Sequence, residues 1–296
     1  MGWTAWERVE GDGLDFTDVV YEKKYHTELW GGPARITVNR PGRYNAMTQH
    51  THGEMLRAFD DAGHDPRVVA VVLTGAGDHF GVGGDVEDEQ RTLREQFVRG
   101  FTLDRLVRLC RKPVIAMVKG FCIGASHHLA YCCDFTIAAD NAVFGQNGPR
   151  VSSPADGFIL PYLVRVVGAK KAREIWMLCR RYSASEALEM GLVNTVVALD
   201  RLEDEVDRWC EEMLGLSPGC LEILKASFDW EIDTMPQLGV LSNWLYPDWF
   251  ESDEGREGAR AFLEKRPAAH WKIRRAEAEA RAKVKREMAE DGRTPS

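Results

Sequence analysis

The sequence predicts an α/β fold: a largely parallel sheet with crossover helices, followed by a helical C-terminal region. Short, continuous β-branched runs alternate with helix-period segments, the pattern of successive βαβ units. After about Val196 the strand-like runs stop and a helical period takes over.

Tyr21 to Val38 reads as two β segments around a Gly31-Gly32-Pro33 turn. Thr48 to Ala62 carries Met55, Leu56 and Phe59 at helical spacing. Val68 to Thr74 is an unbroken run ended by Gly75-Ala76-Gly77, as expected of a strand buried on both faces. Pro113 to Val118, ending at Lys119-Gly120, is a second such run. Phe135 to Ala139, after the helical stretch Ala125 to Cys133, is a third. Leu202 to Leu214 is amphipathic, Ser217-Pro218 restarts a helix, and Glu254 to Lys265 forms another. His270 to Ala289 is charged on most faces. It reads as a solvated helix stabilised by pairs such as Glu277–Arg281, with a partner-binding arm as the alternative. The expected organisation is a core over 1–200, a helical region over 201–268 and a charged tail over 269–296.

Composition narrows the function. The 296 residues are 44% hydrophobic and 28% charged, a globular balance. Lys and Arg total 38 against 46 Asp and Glu, a net charge of −8 that disfavours nucleic-acid binding. No apolar run approaches the roughly 20 residues that a membrane-spanning helix needs. Met1 to Asp18 is charged throughout and has no apolar stretch of the signal-peptide kind, so no secretion is expected. Cys110, Cys122, Cys132, Cys133, Cys179, Cys210 and Cys220 show no CxxC or metal-ligand spacing and lie in apolar segments. A cytoplasmic, reducing compartment and no bound metal are therefore expected.

Two glycine-containing turns each follow a buried strand and precede a helix. They are Phe80-Gly81-Val82-Gly83-Gly84-Asp85 and Gly120-Phe121-Cys122-Ile123-Gly124-Ala125-Ser126. Small residues there let backbone amides face outward, and a helix N-terminus adds positive partial charge. Two such amides converging on one point would stabilise an oxyanion. Singly, each is equally readable as a tight βα turn.

Taken in order, these segments resemble the enoyl-CoA hydratase/isomerase (crotonase) superfamily from about Phe16 to Pro267. The resemblance runs through Asn39-Arg40-Pro41, Asn45-Ala46, Leu73-Thr74-Gly75, the Phe80–Asp85 turn, Lys112 to Ala116 and Gly120 to Ala125. It continues through Cys133-Asp134, Phe144-Gly145-Gln146, Gly191 to Asn194 and Arg256-Glu257-Gly258. It implies a ββα spiral core with a helical C-terminal trimerisation region, and a homotrimer or homohexamer. No tightly bound cofactor is implied; the substrate is a CoA thioester, its carbonyl held by the Gly84 and Ala125 amides. Alanine at 125 keeps the N–H but adds a Cβ, which requires a negative φ.

Within the superfamily, Phe144 to Val151, Val167 to Trp176 and Met190 to Val197 are most similar to 1,4-dihydroxy-2-naphthoyl-CoA synthase and 2-ketocyclohexanecarboxyl-CoA hydrolase. Those enzymes form or open a ring at a β-keto thioester. The two glutamates that water-adding relatives use align with His128 and Gly148, so simple hydration is disfavoured. Of His127 and His128, adjacent on one helix, at most one is expected to face the site, and His128 is favoured. In naphthoate synthases with glycine at the Gly148 position, Gln146 and Trp176 match the residues that hold a bicarbonate. The catalytic serine aligns with Ser153. Its aspartate falls at Ala155, leaving Asp156, one residue on, as the replacement carboxylate. A tyrosine of relatives falls at Phe250, with Tyr246 one turn earlier. Val86 to Gln90 is acidic where naphthoate synthase is basic, which points to an alicyclic or other β-keto acyl-CoA. Arg40 and Arg43 would meet the CoA phosphates, and Phe262 and Lys265 the adenine. The expected activity is carbon–carbon bond formation or cleavage through an enolate. The alternatives are a hydratase/isomerase with rearranged acid–base residues, and a non-catalytic acyl-CoA-binding member.

Overall fold

A computed structural model describes residues 2–11, 13–89, 103–155, 157–229, 245–246 and 249–290. The chain enters its sheet through β1 (Glu7–Arg8) and β2 (Val19–Lys23), which pair antiparallel; β2 then pairs antiparallel with β3 (Gly32–Val38). Gly32 and Pro33, expected in the turn, lie inside β3. A Cβ on Gly32 would stand 1.9 Å from the Lys24 carbonyl oxygen, so a close strand approach, and not the reversal, demands glycine there.

Helix α1 (Gln49–His64) starts at a Thr48–Thr51 capping box and buries Met55, Ala58, Phe59 and Ala62; Leu56, expected among them, is exposed. β4 (Val68–Gly75) is buried at all eight positions. It runs parallel to β3 on one side and to β5 (Val114–Val118) on the other, with α2 (Leu103–Leu109) preceding β5. β6 (Phe121–Ile123) leads into α3 (Ala125–Cys132), and β7 (Phe135–Ala139) returns parallel to β5. β8 (Val143–Gly145) pairs with β6 and with β9 (Arg181–Ser183) in a second, three-stranded sheet. Between β8 and β9 lie α4 (Ile159–Val167) and α5 (Ala169–Leu178). After α6 (Ala184–Glu189), β10 (Thr195–Val197) completes a seven-stranded sheet of order β1-β2-β3-β4-β5-β7-β10.

Helices α7 (Leu202–Leu214), α8 (Pro218–Asp229), α9 (Asp253–Leu263) and α10 (His270–Glu290) form the C-terminal region. The α/β class and this helical region are as the sequence predicts. Covering the sheet from both sides explains the unbroken apolar runs. Val72, Ile115, Met117 and Ile137 pack toward Leu202, Val206, Cys210 and Met213 of α7. Val71, Leu73, Ala116, Val118 and Ala138 share the opposite core with α1 and α3. Truncating Ile115 to alanine on the α7 side would cost about 2–5 kcal/mol.

The Lys225 amine ties α8 to the core, donating to Asp134 Oδ2 (2.7 Å) and to the Lys112 and Val107 carbonyls. Six cysteines are buried and free; Cys220, expected in an apolar setting, is exposed on α8. Helix α10 is mostly exposed and carries the Arg275–Glu279 pair at 2.8 Å; the Arg281 side chain lies outside the described residues. Among the described residues, no helix is long and apolar enough to cross a membrane.

Candidate active site

The two glycine turns sit at the C-terminal ends of β4 and β5 and are stitched together by backbone. Phe80 N–H donates to Lys119 O, Gly81 N–H to Phe121 O, and Ile123 N–H to Gly81 O, at 2.8–3.0 Å. Asn45, at φ 57°, steadies the first turn: its amide donates to Ala76 O (2.8 Å) and His79 O (2.7 Å). Gly83 adopts φ 98°, and a Cβ on it would stand 2.8 Å from the Ala125 nitrogen. The turns therefore touch backbone to backbone. The left-handed residue of the second turn is Gly124 (φ 61°), so Ala125 begins α3 at ordinary negative φ and its Cβ is accommodated. Among the described residues, nothing accepts a hydrogen bond from the N–H of Gly84 or Ala125. Two free donors beside a helix N-terminus can hold an oxyanion.

The adjacent histidines of α3 part company. His127 is fully buried; its Nδ1 accepts from Gln146 Nε2 at 2.8 Å, and burial pushes its pKa down to about 3. It is a neutral packing residue. His128 is half-buried, with Nδ1 at 2.7 Å from Asp104 Oδ1 of α2 and its ring 6.1 Å from that of Trp176. Asp104 fixes the ring's orientation.

Glu89 is the residue that sequence reasoning placed differently. In the sequence it belongs to an acidic, substrate-discriminating segment, yet its carboxyl folds over the first turn: a Cβ on Gly84 would stand 1.7 Å from Glu89 Oε1. Burial pushes its pKa up to about 7, helped by Asp85 and Asp88 and opposed by His128. His52 of α1 completes the group. Its Nε2 is buried without a hydrogen-bond partner among the described residues, and burial lowers its pKa to about 4.

Around Gly148 there is no room for a side chain. A Cβ would stand 2.5 Å from Ser153 O and 3.6 Å from the Trp176 ring, and Ser153 N–H donates back to Gly148 O at 3.0 Å. Trp176 Nε1 is buried without a hydrogen bond of good geometry. Gln146, expected to share an anion with it, instead engages His127 and Gly124 O (3.3 Å). Ala155 and Trp176 line an apolar cavity of about 480 Å³, bordered also by Glu254, Trp271 and Arg274 of α9 and α10. Asp156 lies outside the described residues.

At the expected CoA end, Arg40 is committed internally. Its guanidinium donates to Ala46 O and Asp85 Oδ2 (3.2 Å) and lies 3.5 Å from Asp18. Arg43 is exposed and pairs with Glu87 at 2.9 Å. Phe262 and Lys265 are exposed at the end of α9. Among the described residues, no hydrogen bond or ion pair joins them to the Gly84 turn.

A family model described as "Enoyl-CoA hydratase/isomerase" matches residues 30–274. An enoyl-CoA hydratase/isomerase from Xanthobacter autotrophicus Py2 is 31% identical at a TM-score of 0.66, over 95% of this chain and 100% of that one. A monofunctional enoyl CoA isomerase from M. smegmatis is 32% identical at 0.58, over 68% of this chain and 90% of that one. A methylmalonyl-CoA decarboxylase in complex with 2-nitronate-propionyl-CoA shares the fold at 20% identity and a TM-score of 0.74, over 86% and 98% of the two chains.

Proposed function

The chain belongs to the enoyl-CoA hydratase/isomerase (crotonase) family, and we propose that it forms or cleaves a carbon–carbon bond of a cyclic or β-keto acyl-CoA. This is the chemistry of the naphthoyl-CoA synthase and ketocyclohexanecarboxyl-CoA hydrolase branch. The observation that carries the reading is a contrast at one site. The two free amides of Gly84 and Ala125 are present, while Gly148 leaves no space for the second carboxylate that hydration requires.

In this reading the thioester oxygen lies between the two amides, which gain strength as enolate charge develops at the N-terminus of α3. His128, oriented by Asp104, handles a proton at the second carbonyl of the β-keto unit, with the Ser153 loop bordering the same space. The apolar cavity beside Trp176 takes the acyl ring. Arg43 is the better phosphate contact of the two arginines, since Arg40 is held by carboxylates and a carbonyl. Phe262 and Lys265 serve the adenine, and the functional unit is a homotrimer or homohexamer in a reducing cytoplasm. No step is assigned to bicarbonate.

Double-bond isomerisation is the second reading, favoured by the carboxyl of Glu89 over the Gly84 turn. Mass spectrometry of products from a panel of cyclic β-keto acyl-CoAs and a 3-enoyl-CoA separates the two. Ring opening with water incorporation, or ring closure in reverse, supports carbon–carbon chemistry. Turnover of the enoyl thioester alone would replace it with isomerisation. Binding of the thioesters without any turnover would leave an acyl-CoA-binding protein.

A further inference from the structure

Glu89 has no counterpart among the groups the family resemblance assigns. Its carboxyl packs directly on the Gly84 turn, whose amide is one of the two proposed oxyanion donors. No hydrogen bond or ion pair engages that carboxyl among the described residues. A partly buried carboxyl kept only for structure is normally paired, because withdrawing an unpaired one from water is costly. This one instead lies against the residue whose amide is a proposed oxyanion donor.

We propose that Glu89 is the acid–base group that carries the α-proton of the bound acyl-CoA. The inference rests on the acyl-CoA reading above and supplies the proton carrier that Gly148 and Ala155 cannot. In the forward step the Cα–H bond breaks and an O–H bond forms on the Glu89 carboxylate. The released electron pair moves onto the thioester oxygen, held by the Gly84 and Ala125 amides. Returning the proton to carbon reverses each change, so the step needs no oxidant or further reactant. The surroundings suit a carrier that works near neutrality. Asp85 and Asp88 of its own segment resist ionisation of Glu89, and His128 of α3 favours it. Asp104 of α2 and the uncharged His52 of α1 stand beside that His128.

The test is α-proton exchange of butyryl-CoA and cyclohexanecarboxyl-CoA in deuterium oxide, read by mass spectrometry, beside calorimetric binding of the same thioesters. Wild type is expected to exchange one α-position at a rate that rises with pH through about 7 and levels above it. Glu89→Gln keeps the shape and should bind within twofold of wild type. Its exchange should fall by about 10²-fold or more, without the inflection. Exchange by Glu89→Gln at the wild-type rate with intact binding would overturn the role of Glu89 and leave the acyl-CoA reading standing. Binding by wild type without exchange would overturn it equally. Failure of wild type to bind either thioester would remove the acyl-CoA reading and the proposal together.

Discussion

Replacing Ala125 with proline isolates one amide donor. Ala125 is the first residue of α3, where an N–H has no intrahelical acceptor, and nothing among the described residues accepts from it. Proline is well tolerated at this helix position, and Gly124 before it has no Cβ to clash. The substitution therefore loses no hydrogen bond of the folded chain, and the thermal midpoint should move by only a few degrees. The loss falls on the reaction. With two donors on the oxyanion, deleting one typically costs about 10²–10³ in rate, or about 2.7–4 kcal/mol of transition-state stabilisation. The assay is the exchange of butyryl-CoA in deuterium oxide, with Ala125→Gly as the control that keeps the N–H. Ala125→Gly should retain most of the rate. A folded Ala125→Pro that exchanges as fast as wild type would refute the placement of the oxyanion at these turns.

Three further outcomes are expected. Gly148→Ala forces a Cβ to 2.5 Å from Ser153 O and should destabilise the protein by about 1–3 kcal/mol in urea unfolding; unchanged stability would show that the 148–153 loop yields freely. Hydration of crotonyl-CoA, followed by loss of enoyl-thioester absorbance, should be negligible, and a rate like that of ordinary hydratases would remove the carbon–carbon reading. Burial holds His127 at about 3 and His52 at about 4, both below the ordinary 6.5, so the unfolded chain binds protons that the folded chain refuses. Stability should then fall as pH drops from 6.5 toward 4, by about 1.4 kcal/mol per pH unit for each histidine, and His52→Gln should flatten that limb. Parallel limbs for wild type and variant would show His52 to be solvated.

What the sequence determined by itself was whatever depends on local pattern. Val68 to Leu73 is a continuous apolar run because both faces of β4 are covered, and that burial leaves its mark on each of those residues. Gly83 and Gly124 announce the two turns because only glycine reaches their backbone angles without strain. Gly32 shows the limit of such reading. A glycine can mark a reversal or a close strand approach, and only the neighbouring Lys24 carbonyl decides between them.

The tertiary structure alone decided which polar groups share the site. His127 and His128 differ by one step of α3. One is locked to Gln146 and the other meets Asp104, 24 residues away in the chain. Gln146 was assigned to an anion from its place in a motif, yet its amide is spent on His127 and Gly124. Glu89 reads in sequence as one more charge in an acidic run, because its residue type is the same whether solvated or buried. Its folding over Gly84 removes water from the carboxyl, and that loss of solvation, a property of three-dimensional surroundings, turns an ordinary surface acid into a candidate proton carrier.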